Sequence, residues 1–417
     1  MDLLQPLLIV FILSIISTHS LPPPHSTSTL QIFHISAHET PDVSWAETVL
    51  QIQAGDQARL ASLVAGRSFV PIGSGRPTVQ SSSYIVKAKI GTPAQTLLMA
   101  LDTTSDMSMV PCSGCVGCSS SAFAFAKSTT FKSLNCGAAQ CKLMQNSNCL
   151  ENTCLMNMTY GASSIAANLA QDNITLATDS VTGYSFGCIQ KAVGASLPPQ
   201  GVLGLGRGPL SLISQSNRLY KSTFSYCLPS FRSPKFSGTL RLGPIGQPKN
   251  IKYTPLLTNP RRPSLYYVKL TGIKVGPKLV SIPPSAFALN PNNGAGTIID
   301  SGTVFTRLVT PAYTAVRDEF RRRMGRNAVV SSLGGFDTCY TVPIGKHVPT
   351  MTFIFEGTEL SMKQENFLIY SSAGGITCLA MSASPSLNVI ANMQQQNHRI
   401  LFDLPNSRIG ISAENCS

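Results

Sequence analysis

Histidine is scarce in the body of this 417-residue chain. Four of its six histidines lie before residue 40, and only His347 and His398 occur after residue 80. Zinc sites and Ser–His catalysis both depend on histidine, so this distribution argues against a His-rich metal site and limits Ser–His chemistry. The chain also lacks a phosphate-binding Walker loop and a Gly-x-Gly-x-x-Gly segment that opens a helix. We therefore expect no metal and no other cofactor.

Charge and long apolar runs are also sparse. Charged residues make up 12% of the chain and hydrophobic residues 43%, a composition typical of globular proteins. Beyond the N-terminus no segment has 18 continuous apolar residues, so no transmembrane segment is expected. Residues 81–417 carry 29 basic and 14 acidic side chains, a formal charge of +15. This charge could attract an anionic cell-wall polymer, an acidic protein or nucleic acid, but the basic residues are scattered and nucleic acid is disfavoured.

The first 80 residues contain no cysteine and hold the only tryptophan. Residues 7–13 form an apolar run too short to span a bilayer, and small polar residues follow it. This pattern predicts a secretory signal peptide over residues 1–20, although Asp2 is unusual there. Residues 21–80 are rich in Pro, Ser and Thr near their start and are interpreted as a removable prosegment or a flexible leader. An exported, extracellular protein is therefore expected.

All twelve cysteines lie after residue 110, and seven of them fall between Cys112 and Cys154. An even number of cysteines behind a secretory signal predicts six disulfides. The alternative for the run Cys112-x-x-Cys115-x-x-Cys118 is a metal or iron–sulfur site. A ferredoxin-type cluster would need a fourth cysteine at position 122, which is Ala122, and zinc would need histidines that this segment lacks.

Short strands dominate the sequence from Ser83 to the end, because Val/Ile/Thr/Tyr-rich runs alternate with Gly and Pro. One clear helix interrupts them, with Thr310 as its cap, Pro311 in its first turn and Gly325 at its end. Its buried stripe is predicted to be Tyr313, Val316, Phe320 and Met324. The run of three arginines at 321–323 lies in the last turn, where cations favour the helix dipole.

Two acidic signatures stand 198 residues apart, Asp102-Thr103-Thr104-Ser105 and Asp300-Ser301-Gly302-Thr303. Each follows an apolar run, and each is followed about 90–100 residues later by two apolar residues and a tiny one, Val202-Leu203-Gly204 and Val389-Ile390-Ala391. One signature alone is explained by an Asx turn at a strand end. Together they predict a duplicated lobe, and two carboxylates brought together can share a proton and activate water.

A competing serine-hydrolase motif is present at Gly183-Tyr184-Ser185-Phe186-Gly187. A nucleophile elbow needs a strand before the serine and a helix after it. Here Cys188 and a Gly/Pro-rich loop follow, so we interpret the motif as a strand that passes a glycine.

The combined motifs resemble the pepsin-like aspartic proteases, most closely the nepenthesin- and nucellin-like branch of plants. The resemblance runs from Tyr84 to Cys416, and its landmarks besides the two signatures are Ile90-Gly91-Thr92-Pro93, residues 186–188, residues 201–208, residues 224–228 and residues 394–403. It implies an all-β, bilobal acid protease fold with a few short helices, a lobe over 81–246, a lobe over 247–417 and a substrate cleft between them. It further implies a monomer that acts on proteins or peptides in the apoplast or cell wall.

The resemblance also implies roles for individual residues. Asp102 and Asp300 would be catalytic, Ser105 and Thr303 would bond their outer oxygens, Thr103 and Ser301 would lock the two loops together, and Tyr160 and Gly161 would belong to the flap. Three positions depart from the family pattern, since Thr104, Met109 and Ala391 stand where Gly, Trp and Gly are usual. Two functions follow: an acid endopeptidase, or a non-catalytic pepsin-fold binder of glycosidases or wall components.

By the same resemblance, we expect the disulfides Cys112–Cys115, Cys118–Cys188, Cys136–Cys154, Cys141–Cys149, Cys227–Cys416 and Cys339–Cys378. Asn157 and Asn173 lie in Asn-x-Thr sequons and are predicted glycosylation sites in an exported chain. A glycan on Asn157 would stand three residues from the flap tyrosine and crowd the cleft.

Overall fold

The computed structural model describes most of the chain beyond residue 82 and several parts of the leader. The described residues are 28–34, 49, 50, 52, 53, 56, 57, 60, 83–118, 122–144, 147–230, 238–325, 330–341, 348–371 and 375–416. Predicted features at residues 1–20 and at His347 lie outside the described residues. Within these ranges no helix is long and apolar enough to cross a membrane.

Strands make up most of the described chain. In the first half they are β1 (Ser28–His34), β2 (Tyr84–Ile90), β3 (Gln95–Asp102), β4 (Met109–Val116), β5 (Lys132–Ser133), β6 (Ser147–Leu150), β7 (Thr153–Tyr160), β8 (Ser163–Leu176), β9 (Asp179–Val193), β10 (Val202–Gly204), β11 (Thr223–Cys227) and β12 (Gly238–Leu242). In the second half they are β13 (Lys252–Leu257), β14 (Tyr267–Val268), β15 (Leu270–Val275), β16 (Lys278–Leu279), β17 (Gly296–Ile299), β18 (Thr306–Val309), β19 (Val330–Leu333), β20 (Phe336–Tyr340), β21 (Met351–Phe355), β22 (Thr358–Met362), β23 (Leu368–Ser371), β24 (Ile376–Leu379), β25 (Met381–Ser384), β26 (Leu387–Ile390), β27 (His398–Asp403) and β28 (Arg408–Ala413).

The helices are short except for one. They are α1 (Ala139–Lys142), α2 (Leu212–Gln215), α3 (Asn217–Tyr220), α4 (Thr310–Met324) and α5 (Asn392–Gln395), with 3-10 turns at Phe125–Lys127, Pro284–Ala286 and Gln364–Asn366. This mostly-β architecture confirms the predicted fold class.

The two halves repeat one strand arrangement. In the first half β3 pairs in parallel with β10, β10 pairs antiparallel with β4, and β4 pairs in parallel with β9. The second half repeats this order of pairings: β17 pairs in parallel with β26, β26 pairs antiparallel with β18, and β18 pairs in parallel with β25. The apolar-apolar-tiny segments are therefore the strands that flank each Asp-bearing strand, which confirms the predicted duplication.

A sheet shared by both halves joins the lobes. β11 pairs antiparallel with β12 on one side and with β27 on the other, and β28 then links β27 to β13. Phe224 on β11 stacks on Phe402 of β27, and Tyr266 packs edge-on against both rings. This buried aromatic cluster packs strands of the two halves against each other.

Parts of the leader belong to this framework. β1 lies between β2 and β12 and pairs with both. Val49 and Ile52 are buried in a cluster of the second half with Phe305 and Phe336, and Leu60 is buried beside Tyr267. The described leader residues are thus packed against the body, and whether they are removed stays a prediction.

Helix α4 lies where the sequence places it, but its first residues differ from expectation. Thr310 is the first helical residue, and Val309 precedes it as a cap that makes no side-chain hydrogen bond. Thr310 Oγ1 instead donates to the carbonyl of Ser384 at 3.4 Å. The expected stripe is buried at Tyr313, Val316 and Phe320, Met324 is half-buried, and the helix ends at Gly325.

Four of the six predicted disulfides are wrong. The observed bonds are Cys112–Cys188, Cys115–Cys118, Cys136–Cys149, Cys141–Cys154, Cys227–Cys416 and Cys339–Cys378. The last two were predicted correctly, whereas Cys112–Cys115, Cys118–Cys188, Cys136–Cys154 and Cys141–Cys149 are not formed.

Strand neighbours and burial explain the differences. Cys112 lies on β4 and Cys188 on the adjacent parallel strand β9, so these two meet directly. In the β6–β7 hairpin Cys149 stands opposite Cys154, but Cys149 is exposed and Cys154 is buried. Buried Cys141 therefore reaches buried Cys154, which leaves Cys136 for Cys149.

Candidate active site

The first acidic loop begins where β3 ends. Asp102 is fully buried, and its Oδ1 accepts hydrogen bonds from the Thr104 amide at 2.8 Å and from the Thr104 hydroxyl at 2.9 Å. Its Oδ2 accepts a bond from Ser105 Oγ at 2.9 Å. Thr104 therefore fits the loop and adds a donor that glycine could not supply.

The second acidic loop follows β17 with a similar geometry. Asp300 is fully buried; its Oδ1 accepts a bond from the Gly302 amide at 2.8 Å, and its Oδ2 accepts one from Thr303 Oγ1 at 2.6 Å. Ser105 and Thr303 therefore occupy equivalent positions beside the two carboxylates, as the sequence predicted.

Reciprocal hydrogen bonds join the two loops. The Thr103 amide donates to Ser301 Oγ at 3.2 Å, and the Ser301 amide donates to Thr103 Oγ1 at 3.0 Å. Ser301 Oγ also donates to the carbonyl of Leu101 at 2.9 Å, and Thr103 Oγ1 lies 3.5 Å from Asp300 Oδ1. Because all these groups are buried, the lock fixes each carboxylate relative to the other.

The predicted flap is the hairpin of β7 and β8. Tyr160 ends β7 opposite Ser163, and Gly161 turns the chain with a φ of 55°. Tyr160 is 8% exposed and packs in one cluster with Met109 and Met156. Methionine thus fills apolar space beside the flap tyrosine where the family usually places tryptophan.

A cavity of about 620 Å³ lies beside the first loop. Tyr160 contributes to its wall together with Thr104, Ser105 and the exposed residues Asn157 and Arg261. The flap, the loop of Asp102 and the segment before β14 therefore border one space. A glycan on Asn157 would stand at its rim.

The second predicted glycosylation site is less accessible. Asn173 is half-buried, and its amide nitrogen donates to Thr92 Oγ1 at 3.3 Å while its Oδ1 accepts from the Gly183 amide at 3.3 Å. A glycan there would take one of the two hydrogens of that nitrogen and would have to fit at a half-buried position.

The alternative catalytic groups lie in unsuitable places. Ser185 is in the middle of β9, 1% exposed, and no helix follows it. His398 is buried, its Nδ1 bonds to the carbonyl of Gln396, and burial lowers its pKa from the ordinary 6.5. No group of three or more His, Cys, Asp or Glu side chains among the described residues is arranged to hold a metal.

The sequence did not reveal two further acids near the pair Asp102 and Asp300, called the dyad below. Asp106 faces the cavity, and its Oδ1 accepts the Gly208 amide at 2.8 Å. Asp56 of the leader is 4% exposed and accepts the amides of Val304 and Phe305 at 2.9 and 2.6 Å. Asp106 could have been noticed because it adjoins the first signature, whereas no sequence pattern marks Asp56.

Two family profiles match consecutive parts of the chain. Residues 84–244 match the one described as Xylanase inhibitor N-terminal, and residues 265–413 match the one described as Xylanase inhibitor C-terminal. The chain is 47% identical to Aspartyl protease AED3 of Arabidopsis thaliana over 419 residues, which covers 94% of this chain and 93% of that protein. The chain belongs to the pepsin-like aspartic proteases.

Two further similarities agree with this family. Aspartic proteinase nepenthesin-1 of Nepenthes gracilis is 35% identical over 349 residues, which covers 80% of this chain and 78% of that protein. The crystal structure of Basic 7S globulin from soybean matches with a TM-score of 0.68, 19% identity, 94% of this chain covered and 98% of that one. The first confirms the nepenthesin resemblance, and the second supports the fold alone.

Proposed function

We propose that this chain is a secreted aspartic endopeptidase that hydrolyses peptide bonds with water activated by Asp102 and Asp300. The observation that carries the proposal is the reciprocal lock of the two acidic loops. It holds the two carboxylates in a fixed position relative to each other, and each has a hydroxyl donor on its Oδ2.

The proposed mechanism follows from two carboxylates held close together. They share one proton, because ionising both at short range is electrostatically costly. The ionised partner removes a proton from a water molecule, and that water attacks the peptide carbonyl. The protonated partner polarises the carbonyl oxygen and then helps to protonate the leaving amine. Tyr160 on the flap would close over the bound peptide.

Replacement of either carboxylate tests the proposal. Asp102→Asn and Asp300→Asn should each lower the cleavage of an unfolded protein at acidic pH by about 10⁴-fold. Asp318→Asn is the matched control, since Asp318 is exposed on α4 and distant from the dyad. Failure of the unmodified mature protein to cleave any substrate between about pH 2.5 and 6 would refute the proposal.

Export and processing are part of the same proposal. The Asp56 carboxylate accepts hydrogen bonds from the amides of Val304 and Phe305, which directly follow the second acidic loop. This part of the leader therefore lies against the catalytic region. We propose that the signal is removed on export and the leader afterwards, in the apoplast or cell wall. N-terminal sequencing of the active secreted protein checks this, and an active protein that still carries most of residues 21–80 would contradict it.

A second candidate function is a non-catalytic binder of a secreted glycosidase. The observation that favours it is the family match, since both matching profiles are described as xylanase inhibitor domains. This function predicts that purified protein inhibits a xylanase at a stoichiometric ratio, and that Asp300→Asn inhibits it equally well. Inhibition that requires the dyad, or no inhibition, would leave the endopeptidase as the better explanation.

A further inference from the structure

The cavity beside the first acidic loop has an apolar floor built from methionine. Met107, Met109 and Met156 are 2–6% exposed, and Met158 and Leu210 complete this floor. Methionine side chains are flexible and polarizable, so such a floor accommodates large apolar side chains of different shapes.

Another part of the cavity wall is basic. Arg207 follows β10, and its Nη1 and Nη2 donate to the Leu257 carbonyl at 3.3 Å and to Thr258 Oγ1 at 3.2 Å. Arg261 is exposed, and its Nε donates to the Asn292 carbonyl at 3.1 Å. Neutral oxygens therefore fix both guanidinium groups without cancelling their charge. Arg262 adds a third cation to the wall and bonds to Tyr267.

Most arginines elsewhere in the described body pair with a carboxylate, although Arg218 and Arg307 form no such ion pair. Carboxylates pair with Arg317, Arg322, Arg323, Arg399 and Arg408 at 2.5–3.1 Å. Among the described residues Arg207 and Arg261 form no ion pair with a carboxylate. Two arginine charges without a carboxylate partner are thus brought together at the cavity wall.

One acid of the chain faces this wall. Asp106 bonds to the Gly208 amide, and Ser264 is a second partner. Desolvation of its carboxylate raises the pKa of Asp106 above the ordinary 3.8; the hydrogen bonds from Ser264 and Gly208 oppose this rise, and the charge of Asp102 adds to it. Asp106 therefore becomes neutral at a higher pH than an ordinary aspartate, which makes the cavity more positive under acidic conditions.

We propose that this end of the cleft selects peptides with an acidic side chain within about three residues of the cleaved bond, next to an apolar side chain on the methionine floor. The distance follows from an extended peptide, which advances about 3.3 Å per residue from the dyad. The cavity starts at Thr104 and Ser105, which bond Asp102 directly. This inference rests on the proposed endopeptidase and names its substrate class.

The preference should depend on pH in a defined direction. A substrate glutamate has a pKa of about 4.3, so it is mostly neutral at pH 3 and mostly charged at pH 5.5. The titratable or charged groups facing it are Asp106, Tyr160, Arg207, Arg261 and Arg262. The arginines stay charged throughout, so the preference grows as pH rises, opposed by the ionisation of Asp106 and by the negative charge of the Asp102/Asp300 pair.

Matched peptides that differ only by Glu or Gln at one position test the inference. With Glu placed in turn at each of three residues on either side of the bond, we expect one position to show a kcat/KM about fivefold above Gln at pH 5.5, and a ratio near one at pH 3. Arg261→Gln should lower this ratio toward one, and Arg261→Lys should keep most of it. Arg218→Gln, an exposed arginine outside the cavity, is the control that should leave the ratio unchanged.

The outcomes separate this inference from the proposed function. Cleavage of the Gln peptides with a Glu/Gln ratio at or below one at every position overturns the inference and leaves the endopeptidase intact. If nothing is cleaved, the binding of labelled Glu and Gln peptides to the Asp300→Asn variant, measured by fluorescence anisotropy, tests the inference independently of catalysis. The inference is supported if a Glu peptide binds more tightly than its Gln counterpart and if this difference disappears in the double variant Asp300→Asn/Arg261→Gln. Equal binding of Glu and Gln peptides overturns it.

Discussion

The two acidic loops are built by the same strand pairing but use small residues at different places. In the first half Thr104 donates both its amide and its hydroxyl to the carboxylate, and Gly204 lies on the flanking strand. In the second half Gly302 donates only an amide, and Ala391 follows the flanking strand β26. A duplicated framework therefore tolerates different residues around each acid, as long as the carboxylate keeps an amide and a hydroxyl donor.

The flanking strands offer the largest test of this comparison. A Cβ on Gly204 would lie 2.5 Å from the Met107 carbonyl oxygen and 2.7 Å from that of Ser105, both backbone atoms of the first loop. We expect Gly204→Ala to lower the free energy of unfolding by about 3 kcal/mol and kcat/KM by about 100-fold. Urea unfolding and peptide hydrolysis measure the two effects.

The matched change in the second half is Ala391→Gly. Ala391 is fully buried and its amide donates to Thr306 Oγ1 at 3.0 Å, a bond that glycine keeps. The expected loss is about 1 kcal/mol, mainly from backbone entropy. If Gly204→Ala cost no more than Ala391→Gly, the two flanking strands would be equally permissive and the comparison would fail.

The repeat itself could be predicted from the sequence because it depends on local patterns. An Asp after an apolar run, a hydroxyl residue beside it and a distant apolar-apolar-tiny segment identify strands and loops without knowledge of side-chain rotamers. Helix α4 was predictable for the same reason, since Pro311 and Gly325 mark its ends.

Features assembled from distant segments were not predictable. The cavity wall combines residues near positions 107, 158, 207 and 261, which no spacing rule connects. The predicted disulfides of the Cys-rich hairpin were wrong because burial, rather than spacing, decides whether Cys154 bonds to Cys136 or to Cys141. The Thr104 hydroxyl could be either an obstacle or a donor, and only its orientation toward Asp102 decides this.

Thr104 provides a test of intermediate size. Its hydroxyl is the donor to Asp102 that Gly302 lacks toward Asp300. A donor to a carboxylate favours the ionised form, so Thr104→Gly should move the acid limb of the kcat/KM profile to higher pH by about one pH unit. Thr104→Ser keeps the hydroxyl and should retain the original profile. An unchanged acid limb in Thr104→Gly would mean that the two loops hold their acids equivalently.

The smallest expected effect concerns α4, the only long helix of the described chain, which belongs to the second half. Glu319 is 6% exposed and pairs with Lys278, Arg322 and Arg323. The hydrogen bond from Arg322, supported by Lys278 and Arg323, lowers the pKa of Glu319 to about 2. Because its pKa is lower in the folded state, this carboxylate stabilises the fold above the ordinary 4.5 and loses that contribution as pH falls toward 2.

Glu319→Gln should therefore reduce the free energy of urea unfolding by about 1 kcal/mol at pH 5, by less at pH 3, and not measurably at pH 2. Asp318→Asn on the exposed side of the same helix should change it by less than about 0.5 kcal/mol at every pH. A Glu319→Gln effect that persists undiminished at pH 2 would show that packing of the side chain, rather than its charge, anchors the helix. In that case the ion pairs of α4 would not make the stability of the second half depend on pH, and the two halves would not differ in this respect.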